Sequence, residues 1–132
     1  MAAAWKIDRT NWPLVVLYVG EADIPAISEI ESLLRHLDAL IAKRERVAVL
    51  ADLTGASPDA SGRRRYIEWV KAHSASVRTQ TVAFAPVATS ALQRGVITGV
   101  LWFLTPLCPM KVFGDRDAAV SWARGELARA GL

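Results

Sequence analysis

Residues 46–69 read RVAVLADLTGASPDASGRRRYIEW, and this stretch decides the fold. Val47, Val49 and Leu50 open it as an apolar, largely β-branched run, the mark of a buried strand. The run breaks at Thr54-Gly55 and resumes as a helix announced by Ser57, Pro58 and Asp59. Ser and Asp side chains accept hydrogen bonds from the unpaired amides of a first helical turn, and Pro has no amide hydrogen to lose there. Ile67, Val70, Ser74 and Val77 form the inward stripe, so the helix is expected over 58–77. A buried strand feeding a helix through a short polar loop is the β-to-α unit of an open α/β sheet. Ligands and partners meet such folds at these loops.

Upstream, residues 5–8 alternate apolar and polar side chains and 14–19 are β-branched and aromatic. The Thr10-Asn11-Trp12-Pro13 turn between them predicts a hairpin at one side of the sheet. Asp23 can cap a helix over 24–43, where Ile27, Ile30, Leu34, Leu37 and Ile41 share one face. Glu31 and Arg35 lie four residues apart on its outer face, an ion pair of ~0.2–0.5 kcal/mol.

Downstream, residues 81–85 predict a fourth strand ended by Pro86, and Thr89 or Ser90 starts a third helix through about residue 104. Val96, Ile97, Val100, Leu101, Trp102, Phe103 and Leu104 surround nearly the whole of that helix, more than one sheet face can cover. Ala91, Gly95 and Gly99 recur every four residues, and this small stripe is expected against the sheet. Glycine inside a helix otherwise costs ~1 kcal/mol relative to alanine. The remaining apolar face is left to the chain's own Pro106-Leu107-Cys108-Pro109 loop, to a partner or to lipid. Residues 111–114 predict a short fifth strand at an edge. Asp115 caps a last helix with Ala119, Trp122, Ala123 and Leu127 inward. The order is ββαβαβαβα: one α/β domain over 1–132, with a mixed sheet of about five strands and helices mainly on one face.

Composition narrows the function. The chain has 132 residues, 52% hydrophobic and 22% charged, which describes a folded protein with one core. A net charge of +3 is modest, and basic residues cluster only at Arg63-Arg64-Arg65 and over 43–46, so nucleic-acid binding is not favoured. The three arginines sit in the first turns of a helix, where the dipole disfavours cations and Asp59 and Glu68 offset part of that effect. They read as a solvated face with local ion pairs or, more sharply, as a contact for an acidic partner. The single cysteine, Cys108, excludes an internal disulfide and a cysteine-based zinc site, and two histidines leave no metal spacing. The start of the chain lacks the pattern of a secretory leader. The uncharged run between Arg94 and Lys111 is too short and proline-broken to span a membrane, so the expected home is the cytoplasm.

Chemistry is sparse. No glycine-rich phosphate loop and no Gly-x-Ser-x-Gly elbow is present. His36 and His73 each fall within a helix as boundary residues, and Asp52 at the strand end reads as a loop cap. Nothing combines a nucleophile, a base and an orienting group. No enzyme activity and no cofactor is expected.

The element order, with Asp52-Leu53-Thr54-Gly55-Ala56-Ser57 followed by Asp59-Ala60-Ser61-Gly62, resembles the sulfate-transporter and anti-sigma-factor-antagonist (STAS) fold. In that family a strand ending in Asp-Leu leads to an Asp-Ser-Ser-Gly-like loop, whose first Ser or Thr is phosphorylated by a partner kinase to switch binding. Here Ala60 stands at the acceptor position; Ser57 and Ser61 are the neighbouring hydroxyls, and helix capping explains both equally well. The helix from Arg94-Gly95-Val96 to Trp102-Phe103, the Val112-Phe113 strand and the Ala119-x-x-Trp122 ending resemble the SpoIIAA-like branch, related in fold to CRAL-TRIO lipid-binding domains.

The resemblance implies a non-enzymatic regulatory or scaffolding module that docks a protein through this loop and helix. The expected contact residues are Thr54, Ser57, Asp59, Ser61, Arg64, Arg65 and Glu68. The third helix would supply a homodimer contact or a hydrophobic seat. The alternative is a small apolar-ligand or lipid carrier using Val100, Trp102, Phe103, Leu104 and Leu107.

Overall fold

The computed structural model describes residues 3–21, 28–56, 59–102 and 107–132. Strands β1 (Ala3–Asp8) and β2 (Leu14–Glu21) form the antiparallel hairpin that their patterns require. Helix α1 (Glu29–Ala42) carries the chain to β3 (Val47–Asp52), which pairs parallel to β2. Helices α2 (Ala60–Ala72) and α3 (Ser74–Gln80) lead to β4 (Thr81–Val87), parallel to β3, and α4 (Ala91–Trp102) and α5 (Arg116–Arg129) complete the chain. The strand order is β1-β2-β3-β4, so β3 is interior and buried at every residue but Asp52.

Alternation sends β-sheet side chains to two different layers. Leu14, Val16, Ala48, Leu50, Ala83, Ala85 and Val87 face α5, whose Ala119, Ala123 and Leu127 complete that core. A register shift between Val47 and Ala48 keeps the even residues of β3 level with the odd ones of β4. Trp5, Val15, Leu17, Val47 and Val49 face the other way, onto Leu40 of α1. Trp69 and Val70 of α2 pack with Leu34 of α1 as a third cluster on that same side. Four helices therefore lie on one side and α5 alone on the other.

Several expectations need correction. The sheet has four strands: residues 110 and 113 make only isolated bridges, Phe84 with Met110 and Val87 with Phe113. Pro86 is the reason. It lies inside β4 rather than ending it, between Phe84 N–H, which donates to Pro109, and Ala88 N–H, which donates to Phe113. Proline has no donor for the rung between them. The helix expected over 58–77 is broken at His73, which leaves the helical region (φ −111°, ψ 21°) while its ring Nδ1 donates to the Trp69 carbonyl at 2.9 Å. Ser28 caps α1, accepting from Glu31 N–H at 3.3 Å; Asp23 and Ile27 lie outside the described residues. Glu31 pairs with Arg65 of α2 at 3.5 Å rather than with Arg35. The small stripe of α4 does not meet the sheet: among the described residues, nothing beyond the helix's own neighbouring atoms lies within 4 Å of a Cβ built at Gly95 or Gly99.

Two polar ties, one buried and one partly buried, fix α1 to the hairpin. Ser32 Oγ accepts from Trp5 N–H at 3.0 Å, and His36 Nε2 donates to the Trp5 carbonyl at 2.9 Å. His36 is a structural histidine.

Candidate functional site

The loop after β3 ends at Asp59, whose side chain accepts from Gly62 N–H at 2.6 Å and caps α2 as the sequence expects. Gly62 allows this closeness, since a Cβ there would stand 3.2 Å from Asp59 Oδ1. Asp52 Oδ1 accepts from Thr54 N–H at 3.0 Å and turns the chain out of the strand, while its Oδ2 lies 3.6 Å from Arg116 of α5. Thr54, Gly55, Asp59, Ser61, Arg64, Arg65 and Glu68 are all exposed. The structure thus places the expected contact residues along one corner and the outer face of α2; Ser57 and Pro58 lie outside the described residues.

The start of α4 joins this corner. Gln93 Nε2 donates to the Leu53 carbonyl at 2.9 Å, and Arg94 Nη1 donates to the carbonyls of Ala88 and Thr89 at 2.9 and 3.0 Å. These bonds hold the N-terminal end of α4, yet no residue of the helix is buried. Leu92 is 81% exposed and Trp102 84% exposed. Of the apolar set read from the sequence, Val100 faces inward and is partly covered, Trp102 points to solvent, and Leu107 packs beside Trp69 and Val70. Phe103 and Leu104 lie outside the described residues.

Beneath α4 lies a cavity of about 220 Å³, floored by Leu17, Ala51, Phe84 and Pro86 of the sheet and roofed by Val96, Ile97 and Val100. The excess of apolar residues around α4 is the sequence signal for it. Its floor was not readable, because that requires knowing which strand residues face α4. A smaller cavity of about 70 Å³ follows, and Leu37, Tyr66 and Phe84 line both. Cys108 lines the smaller one, and burial pushes its thiol up to about 11. Burial, with the nearby Cys108, also raises the Tyr66 phenol above its usual range. Near the hairpin turn, hydrogen bonds from Thr10 hold the Asp8 carboxyl below its ordinary value.

Asp52 and the two histidines lie apart. Asp52 is engaged by Arg116 on the α5 side, whereas His36 is bound to Trp5 and His73 is stacked on Trp69 at 4.3 Å, among the helices of the other side. Among the described residues no three His, Cys, Asp or Glu side chains gather where a metal could be held. No described helix is long and apolar enough to cross a membrane.

These features define an α/β protein whose sheet carries parallel crossovers on one side and a closing helix on the other. No protein-family model matches the chain, and no curated protein matches it. A solved structure does: an uncharacterised protein of the DUF3478 family with a SpoIIAA-like fold, from Shewanella loihica PV-4. The two superpose with a TM-score of 0.62 at 18% identity, over 92% of this chain and 94% of that one. The fold of this chain is SpoIIAA-like, as the loop and helix motifs suggested.

Proposed function

We propose that the protein is a non-enzymatic regulatory or scaffolding module of the cytoplasm that binds a protein partner through the loop after β3 and the outer face of α2. The observation behind this reading is the Gln93–Leu53 hydrogen bond. It ties the first turn of α4, which carries the exposed Leu92, to the loop after β3, where Thr54 and Gly55 are exposed; α2, which follows that loop, exposes Arg64, Arg65 and Glu68. Basic side chains and an exposed leucine fit a partner offering acidic groups around an apolar contact, the usual division of labour in an interface. Arg65 is already paired with Glu31 at half-exposed positions, a bond worth ~0–1 kcal/mol, so exchanging it for a partner carboxylate is cheap.

The test is affinity capture with the full chain, followed by titration of the purified partner against Arg64→Glu/Arg65→Glu and Leu92→Asp. Each variant should bind at least tenfold more weakly with an unchanged melting temperature. Wild-type affinity in both variants would end this reading.

A further inference from the structure

The chain enters β3 through Lys43-Arg44-Glu45-Arg46, at the opposite end of the strand from the docking loop, and all four residues are exposed. Three cations against Glu45 leave this turn two positive charges in excess. Among the described residues neither Arg44 nor Arg46 enters an ion pair. The backbone adds a second oddity. Arg44 lies in the left-handed region (φ 55°) as it closes α1, its N–H donating to the Ile41 carbonyl at 3.2 Å. That place after a helix suits glycine, which has no Cβ to crowd the turn. An arginine held there against the preference of its backbone points to a use for the guanidinium.

Arg44 and Arg46 line an open groove of about 780 Å³ between the end of α1 and α3, where Ser76, Thr79 and Gln80 also face it. The Ser76 hydroxyl and the Gln80 side-chain amide make no hydrogen bond among the described residues, so both remain available to a guest. The acid lining the groove among the described residues, Asp38, is already engaged. Its Oδ1 accepts from Trp69 Nε1 at 2.8 Å and stands 4.0 Å from His73 Nε2. The Leu40 and Ile41 carbonyls, which end α1 at this rim, are likewise taken by the N–H groups of Lys43 and Arg44. The groove therefore presents free donors and unpaired positive charge.

We infer that this groove binds an acidic stretch of polypeptide, with side-chain carboxylates on Arg44 and Arg46 and main-chain groups against Ser76 and Gln80. The planar fork of arginine matches a carboxylate with two parallel hydrogen bonds. Two other polyanions fit less well. A nucleic-acid strand calls for open aromatic faces on which its bases stack, and the ring beside this turn, Trp12, is half-buried with Lys43 Nζ 5.7 Å over it. A lipid surface calls for apolar side chains that enter it. The exposed large ones among the described residues are Leu92, Val96, Trp102 and Leu132, none of them in this turn or on α3.

The probe is an acetylated decapeptide of alternating Asp and Glu, titrated into the full-length protein and followed by amide chemical shifts. Saturable shifts should centre on residues 43–46 and 76–80, and binding should weaken as salt is raised. Arg44→Gly relieves the left-handed backbone while removing the guanidinium. It should bind the probe at least threefold more weakly, with a melting temperature equal to or above that of the wild type. Arg44→Gly/Arg46→Gln should bind at least tenfold more weakly. The docking variant Arg64→Glu/Arg65→Glu should bind the probe as the wild type does, so this inference and the docking reading fail separately. Undiminished binding to Arg44→Gly/Arg46→Gln, shifts centred on residues 63–65, or tighter binding of a thymidine decanucleotide or of phosphatidylglycerol vesicles would each overturn it.

Discussion

Two helices of similar length cover opposite sides of the sheet, α5 on one and α4 on the other, and they use small residues in opposite ways. Ala119 and Ala123 of α5 are fully buried against Ala48, Ala83 and Ala85, so small side chains there let the helix press onto the strands. Gly95 and Gly99 of α4 meet nothing among the described residues, and the helix stands off above a cavity. The same four-residue spacing of small residues therefore marks a tight contact in one helix and a loose cover in the other. What separates them is what stands opposite: alanines with Leu50 beneath α5, but Phe84 and Pro86 beneath α4.

The largest effect should come from the packed side. Leu50→Ala removes a fully buried side chain from the centre of β3 and should cost ~2–5 kcal/mol in urea unfolding, the range for core truncations. A loss below 1 kcal/mol would show that this face is as loose as the other. Next, Ala123→Leu should destabilise by ~1–3 kcal/mol through overpacking. A neutral result would mean that α5 can lift away from the sheet.

A third measurement probes the closed end of the α4 side. The Cys108 thiol rises from 9.0 to about 11 through burial. The unfolded chain releases that proton first, so this contribution to stability is intact below pH 9 and is lost as pH rises through about 11. Cys108→Ser should flatten that part of the alkaline fall. In the native protein at pH 7.5, iodoacetamide should alkylate Cys108 at least tenfold more slowly than in urea. Equal rates would place the thiol in water. The smallest effect has the opposite sign: Gly99→Ala should stabilise by ~0.5–1 kcal/mol, because the methyl meets nothing among the described residues and the unfolded chain loses freedom. Destabilisation would mean that α4 closes on the sheet in solution.

Much of the fold is legible in the sequence because its signals are local. The alternation of β1, the apolar run of β3, and the Asp59 and Asp115 caps each act within a few residues. Asp115 accepts from Ala118 N–H at 3.0 Å where the sequence places the last cap. What was not legible depends on distant neighbours. Ser32 reads as an ordinary helix-surface serine until Trp5, 27 residues away, is laid beside it. The break at His73 has no glycine or proline to announce it and rests on the stacking of His73 on Trp69. The docking corner was readable as a β-to-α loop, whereas the cleft was readable only from its roof, since Leu17, Ala51 and Phe84 come from three separate strands.

The ties at Trp5 and the flanking segment beside Pro86 bear on how copies of this chain can assemble. At one border of the sheet, Ser32 and His36 occupy the outward amide and carbonyl in the middle of β1. At the other border, residues 109–113 occupy the outward groups of Phe84 and Ala88, and proline withholds the donor between them. The middle of each margin is thereby blunted as a template for strand addition, the common route to filaments and swapped sheets. Any contact between copies of this protein is therefore expected to use side-chain surfaces rather than pairing through the middle of either border strand.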